Sequence, residues 1–248
     1  LIRGTLVAVG ASALGMTPND ATYTVAAAVE LIQSFLLVHD DIMDEDPIRR
    51  GAPAVFEQYR RHGVEYGFRD AGRFGESMGI CAGDVAVLLA LRAVAAIDAP
   101  DAVRLRLISM LSDEIAKVGV AQMADVANGH SPSAATEEEI LSVYRYKTGR
   151  YTFSLPLMLG AVLAKADEPV VDALSRWGEL QGMIFQIRDD HLGIMGDTAD
   201  IGKPSGSDIS SNKQTLHRLY LMERIARTEW ADVASYFGHS HLTESQIA

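Results

Sequence analysis

Phe35-Leu36-Leu37-Val38-His39-Asp40-Asp41-Ile42-Met43-Asp44 is an apolar run that stops in three carboxylates. Around it, Val25, Val29, Ile32 and Leu36 recur at three and four positions, which is the amphipathic helix period. Met110, Leu111, Ile115 and Val118 repeat that spacing, whereas strand-like alternation is rare. Thr17-Pro18-Asn19-Asp20 supplies helix caps, and Ser131-Pro132 through Thr136-Glu137-Glu138-Glu139 marks another helix start, with acids where the helix dipole favours them. The expected fold class is all-α, a single domain over residues 1–248. About eight helices would fill it, with functional loops at one end.

The formal net charge of −11 argues against a nucleic-acid surface, which needs clustered Lys and Arg to replace condensed counterions. An anionic ligand must then be met by metal ions or by a few local cations. The single cysteine, Cys81, cannot form an internal disulfide and suits a reducing cytoplasm; it reads as a small buried side chain between Ile80 and Ala82. No secretory cleavage pattern follows Arg3. Glu30 and Asp84 interrupt the two best candidate membrane spans, so no stable membrane insertion is expected.

In the first motif, Asp40 and Asp44 are four residues apart, hence neighbours on one helix face about 6 Å apart along the axis. Two carboxylates that close repel each other unless a cation lies between them. Hard divalent ions take oxygen ligands, and Mg²⁺ commonly uses one or two carboxylates plus substrate phosphates. A solvated acidic helix end is the competing reading. The neighbours shift the balance toward a metal-and-phosphate site, because Asp44-Glu45-Asp46-Pro47-Ile48 leads to Arg49-Arg50-Gly51, two fixed cations able to grip phosphate oxygens.

Phe185-Gln186-Ile187-Arg188-Asp189-Asp190-His191-Leu192-Gly193 repeats the pattern about 150 residues later, with an apolar helix reaching the paired carboxylates Asp189 and Asp190. Gly202-Lys203-Pro204-Ser205-Gly206 follows, a punctuated loop that can set the Lys203 ammonium beside phosphate, and Lys213 lies ten residues on. His191 stays outside the site, since carboxylates with loop lysines indicate magnesium chemistry, for which imidazole is a poor ligand.

Together these residues resemble the trans-isoprenyl diphosphate synthases, or polyprenyl synthetases, and most of all the geranylgeranyl diphosphate synthases. The resemblance spans nearly the whole chain. It takes in both aspartate motifs, Arg49-Arg50-Gly51, Ala82-Gly83-Asp84, Gln122 with Asp125, Lys147-Thr148, Phe185-Gln186 and Gly202-Lys203-Pro204. It implies an all-α helical bundle around a deep central cavity, usually as a homodimer, with the aspartate motifs facing each other across the mouth. It further implies three Mg²⁺ ions, replaceable by Mn²⁺, on Asp40, Asp44 and Asp189, with Asp41 and Asp190 completing the catalytic motifs. Arg49, Lys147, Lys203 and Lys213 would neutralise the diphosphate of a dimethylallyl, geranyl or farnesyl substrate, while Lys147, Thr148 and Gln186 flank the allylic cation. Arg3, Gln33 and Arg50 match the site for isopentenyl diphosphate.

Product length in this family is commonly set just before the first motif, which points to Phe35 and Leu36. One aromatic at Phe35, aliphatic Leu36 and no insertion in the motif resemble the pattern for a C20 product, with farnesyl (C15) as the other short-chain outcome. The sequence departs from the family at Gly193, where many members have a third Asp, and at Ala54 and Phe56, where Thr and His are common. The family's Gly-Lys element would precede Leu1, and its last helices would follow Ala248, so both are expected to lie outside this sequence. A terpene cyclase shares the first motif but usually carries a different second one; a non-catalytic regulatory subunit typically loses one of the two.

Overall fold

The structure is a computed structural model that describes residues 1–131, 133–195, 209, 212–225 and 236–238. Among the described residues almost all regular structure is helical, as expected: α1 (Ile2–Ser12), α2 (Asp20–Met43), α3 (Val55–Glu65), α4 (Ala71–Ala95), α5 (Asp101–His130), α6 (Glu137–Val143), a π-helix π1 (Tyr144–Ser154), α7 (Leu155–Leu163), α8 (Glu168–Met195) and α9 (Leu216–Ile225). The chain forms two compact units, residues 1–111 with 156–172, and residues 112–155 with 173–248.

In the first unit, α2 starts where the sequence says it should. The Asn19 side chain accepts from Thr22 N (3.1 Å), and Thr22 Oγ1 accepts from Asn19 N (3.3 Å), closing a capping box. Val25, Ala28, Val29 and Ile32 are fully buried, one stripe of the helix. Burying each of the larger ones contributes roughly 1.5–3 kcal/mol. Past α2 the chain reverses in a hairpin of two two-residue strands, β1 (Ile48–Arg49) and β2 (Ala52–Pro53), with Arg49 opposite Ala52. The turn residues Arg50 and Gly51 both have positive φ, 54° and 75°, the combination that lets a two-residue turn follow the strand twist.

Two expectations are corrected here. Glu30 and Asp84 do not interrupt their helices, and α2 and α4 are each long and apolar enough to cross a membrane. α2 packs along α4, but only 28% and 22% of their apolar stretches are buried: on α4, Ala90 and Val94 are fully buried, whereas Val85 and Leu88 stay exposed. Cys81 is exposed, not buried. Gly79 and Gly83, one turn apart, take the inner face of α4 and leave Cys81 on the outer one.

In the second unit, Thr136 and Glu139 cap α6 reciprocally, with Thr136 N donating to Glu139 Oε2 (2.7 Å) and Glu139 N to Thr136 Oγ1 (3.3 Å). Ile140 and Tyr144 form a small core with Ala135, Leu216 and Leu219, which seats α9. Where π1 crosses α8, Gly149 meets Gly182 backbone to backbone: a Cβ on Gly182 would lie 2.1 Å from Gly149 Cα.

Candidate active site

The first motif ends α2, with Asp44 as its C-cap. Its carboxylates divide. Asp41 is 3% exposed and accepts from Arg49 Nε (2.7 Å) and, more closely, from Arg49 Nη2, the guanidinium returned to the helix end by the hairpin. Burial pushes the Asp41 carboxyl up, Arg49 pulls it back, and with Asp40 and Asp46 nearby the balance lies above the usual carboxylate range. Asp40 is half-buried, with Arg49 Nη2 3.9 Å from its Oδ2, and Asp44 is exposed. Arg50, at the turn, is exposed, whereas Arg49 is half-buried against Asp41.

The second motif repeats the division on α8. Asp189 is exposed, whereas Asp190 is completely buried. Asp190 Oδ1 accepts from Gln186 Nε2 (2.8 Å) and Lys213 Nζ (3.2 Å), and its Oδ2 accepts a short bond from Tyr144 OH. Tyr144 OH in turn accepts from Leu216 N (3.1 Å) at the head of α9. Gln186 and Lys213, expected to face the substrate, are thus also ligands of Asp190.

Lys147 and Thr148 are half-buried on π1, and Lys147 Nζ donates to Asp125 Oδ2 on α5 (2.6 Å). Arg3 in the first turn of α1 and Gln33 on α2 are half-buried, on two helices that pack together. Phe35 and Leu36 are half-buried, and the Phe35 ring meets His39 edge-on at 4.8 Å. His39 Nε2 lies 3.1 Å from the Ile80 carbonyl and 3.6 Å from Asp84. Lys203, with its Gly202-Lys203-Pro204 loop, lies outside the described residues.

Among the described residues no group of three or more His, Cys, Asp or Glu is arranged to hold a metal ion by itself. Magnesium does not ask for one, because it keeps most of its positions for water and phosphate oxygens. Hard oxygen donors one helical turn apart, Asp40 and Asp44, fit such a partly protein-bound ion, and so does exposed Asp189.

A family model described as polyprenyl synthetase matches residues 1–247. The chain belongs to the polyprenyl synthetase family. A short chain isoprenyl diphosphate synthase of Methanothermobacter thermautotrophicus is 34% identical over 237 residues, 96% of this chain and 67% of the relative. A geranylgeranyl diphosphate synthase of Saccharolobus solfataricus is 33% identical over 246 residues, 98% of this chain and 68% of the relative. The crystal structure of a geranylgeranyl pyrophosphate synthase from Corynebacterium glutamicum, complexed with isoprenyl diphosphate and magnesium, superposes with a TM-score of 0.91 at 30% identity, covering 99% of this chain and 71% of that one. The chain spans about two thirds of the length of these curated relatives. It is a prenyltransferase chain of the trans-prenyl diphosphate synthase type, on the short-chain side of the polyprenyl synthetase family. Relatives named farnesyl and nonaprenyl diphosphate synthase match at 36% and 34% identity, so family membership leaves product length open.

Sequence reasoning missed the partners of the motif residues. Gln186 four residues before Asp190 is a readable signal for a bond on one helix face. Tyr144, 46 residues from Asp190, gave none, and Asp125 stood out in the family resemblance but not as the partner of Lys147.

Proposed function

We propose that this chain catalyses the magnesium-dependent head-to-tail (1'-4) condensation of isopentenyl diphosphate with an allylic diphosphate, releasing diphosphate and giving geranylgeranyl diphosphate. The observation that carries the reading is the division of each aspartate motif. Asp41 and Asp190 are buried and bonded within the protein, while Asp44 and Asp189 reach the surface and Asp40 is half-buried. An acidic helix end that merely met solvent would not bury one member of each pair.

In this reading Asp40, Asp44 and Asp189 present oxygens to magnesium, three ions per site, with manganese as a substitute. When bound, magnesium would neutralise the diphosphate leaving group as a Lewis acid. Arg49, Lys147, Lys203 and Lys213 add fixed positive charge where negative charge develops as the allylic C–O bond ionises. The Lys147 carbonyl, the Thr148 hydroxyl and Gln186 flank the allylic cation. Arg3, Gln33 and Arg50 hold isopentenyl diphosphate, whose double bond attacks the cation; the proton then lost passes to the released diphosphate. We read both compact units as one prenyltransferase domain, working as a homodimer in the cytoplasm without stable membrane insertion.

The C20 assignment rests on Phe35, supported from one turn on by His39. Incubation with isopentenyl diphosphate, Mg²⁺ and dimethylallyl, geranyl or farnesyl diphosphate tests both parts. Elongation to C20 is expected, with longer products from Phe35→Ala. No elongation from any primer would sink the synthase reading, and unchanged products from Phe35→Ala would remove the residue from length control.

A further inference from the structure

The second unit contains an ionic cluster that the proposed chemistry leaves unused. Arg150 on π1 donates to both carboxylate oxygens of Glu114 on α5, from Nε (3.1 Å) and Nη2 (2.6 Å), and from Nη1 to Glu179 on α8 (3.0 Å). Lys117 also donates to Glu114 (2.8 Å), and Arg145 pairs with Glu179 (2.8 Å). Glu114 is 4% exposed. Burial pushes its carboxyl up, but the hydrogen bonds from Arg150 and Lys117 outweigh that and hold it below the usual range, so it carries its charge.

Buried ion pairs of this kind add little net stability, because desolvation offsets their attraction. In some folds such pairs set register instead, and π1 is an element whose register needs setting. A π-helix is normally a single turn inserted into an α-helix, whereas this one runs for 11 residues, Tyr144–Ser154. Three residues before Arg150, Lys147 reaches Asp125, 11 residues beyond Glu114 on α5. Eleven residues are close to three α-helical turns, so one face of α5 grips π1 at two points. On the other side, Glu179 and Gly182 of α8 grip Arg150 and Gly149.

We propose that Arg150 is a positioning residue: its fork to Glu114 and Glu179 fixes the π-register of Tyr144–Ser154 and so places Lys147 and Thr148 for the allylic substrate. The inference rests on the synthase reading above. Relaxation to α-helical register would turn side chains by about 100° per residue dropped and carry Lys147 away from Asp125.

The test compares full-chain wild type, Arg150→Met, Arg150→Lys, Lys147→Met and Arg150→Met combined with Lys147→Met. It measures elongation kinetics and hydrogen exchange of the amides of residues 144–154. Arg150→Met is expected to lower kcat by at least about tenfold, towards the roughly hundredfold that a 1 Å misplacement costs. KM for isopentenyl diphosphate should stay within about twofold. Arg150→Lys keeps the charge without the planar fork and should recover only part of the loss. On the residual turnover of Lys147→Met, adding Arg150→Met should cost less than about threefold, because Arg150 acts through Lys147. Equal losses in both backgrounds, or wild-type exchange across 144–154 in Arg150→Met, would overturn the proposal. Should Arg150→Met fail to fold, Arg150→Lys carries the same comparisons. An inactive wild type would refute the synthase reading alone, and the exchange rates would still decide the positioning role.

Discussion

Asp41 in the first unit and Asp190 in the second are both buried, at 3% and 0% exposure, yet they are held by different means. Asp41 answers to one guanidinium, Arg49, eight residues along the chain on a two-strand hairpin. Asp190 is bonded by Tyr144, Gln186 and Lys213, which come from π1, from its own helix and from the segment before α9. The first tie is local and charged, closing a loop next to the metal-ligand candidates. The second gathers three segments far apart in sequence. Two motifs that look alike in sequence therefore do unequal structural work, and only the second anchors a tertiary knot.

Breaking the knot should have the largest effect. Asp190→Ala leaves Lys213 and Tyr144 around a vacated buried acceptor and is expected to cost about 3–5 kcal/mol, read from the midpoint of denaturant unfolding. A loss below that of Asp41→Ala would reverse the comparison. Next come members that are not fully buried. Asp40→Asn and Asp189→Asn should each lower turnover by about a hundred- to a thousandfold while unfolding with the wild type, because they remove charge at the ionising diphosphate and not at a packed site. Parallel losses of activity and stability would instead make them structural.

Asp41→Ala should cost less than Asp190→Ala, about 1–2 kcal/mol by the same unfolding measurement, because Arg49 can turn toward Asp40 and water. The smallest effect sharpens the comparison with a third buried carboxylate. Glu57, 4% exposed on α3, is held down to about 2 by Arg60 first and Arg61 after it, against the opposing pull of burial. Its folded value lies below its ordinary 4.5, so its stabilisation is full above pH 4.5 and is lost as pH falls through about 2. Glu57→Gln should flatten the acid limb of a stability–pH curve in that window; an unchanged limb would show that the arginine pair adds nothing.

The helices were legible because their signals are local. Asn19 and Thr136 cap where a capping residue is expected, and Val25, Val29 and Ile32 follow the helical period into a buried stripe. The hairpin after α2 was not, since two-residue strands are too short to show alternation. That matters for the site: Arg49 and Arg50 read as one basic pair, but the turn gives Arg49 to Asp41 and leaves Arg50 exposed. The aspartates themselves stood out, whereas their division into buried and surface members depends on partners such as Tyr144, 46 residues from Asp190. Composition misled twice, at Cys81 and at the charges within α2 and α4, because neither reports which face of a helix a residue occupies.

The contact between Gly149 and Gly182 has one more consequence. Most helix pairs can slide, because side chains at the crossing change rotamer and repack in small steps. Here backbone meets backbone with no rotamers between, so a side chain at Gly182 would have nowhere to turn and would wedge π1 and α8 apart. Lys147 and Thr148, two residues and one residue before Gly149, would be carried along with π1.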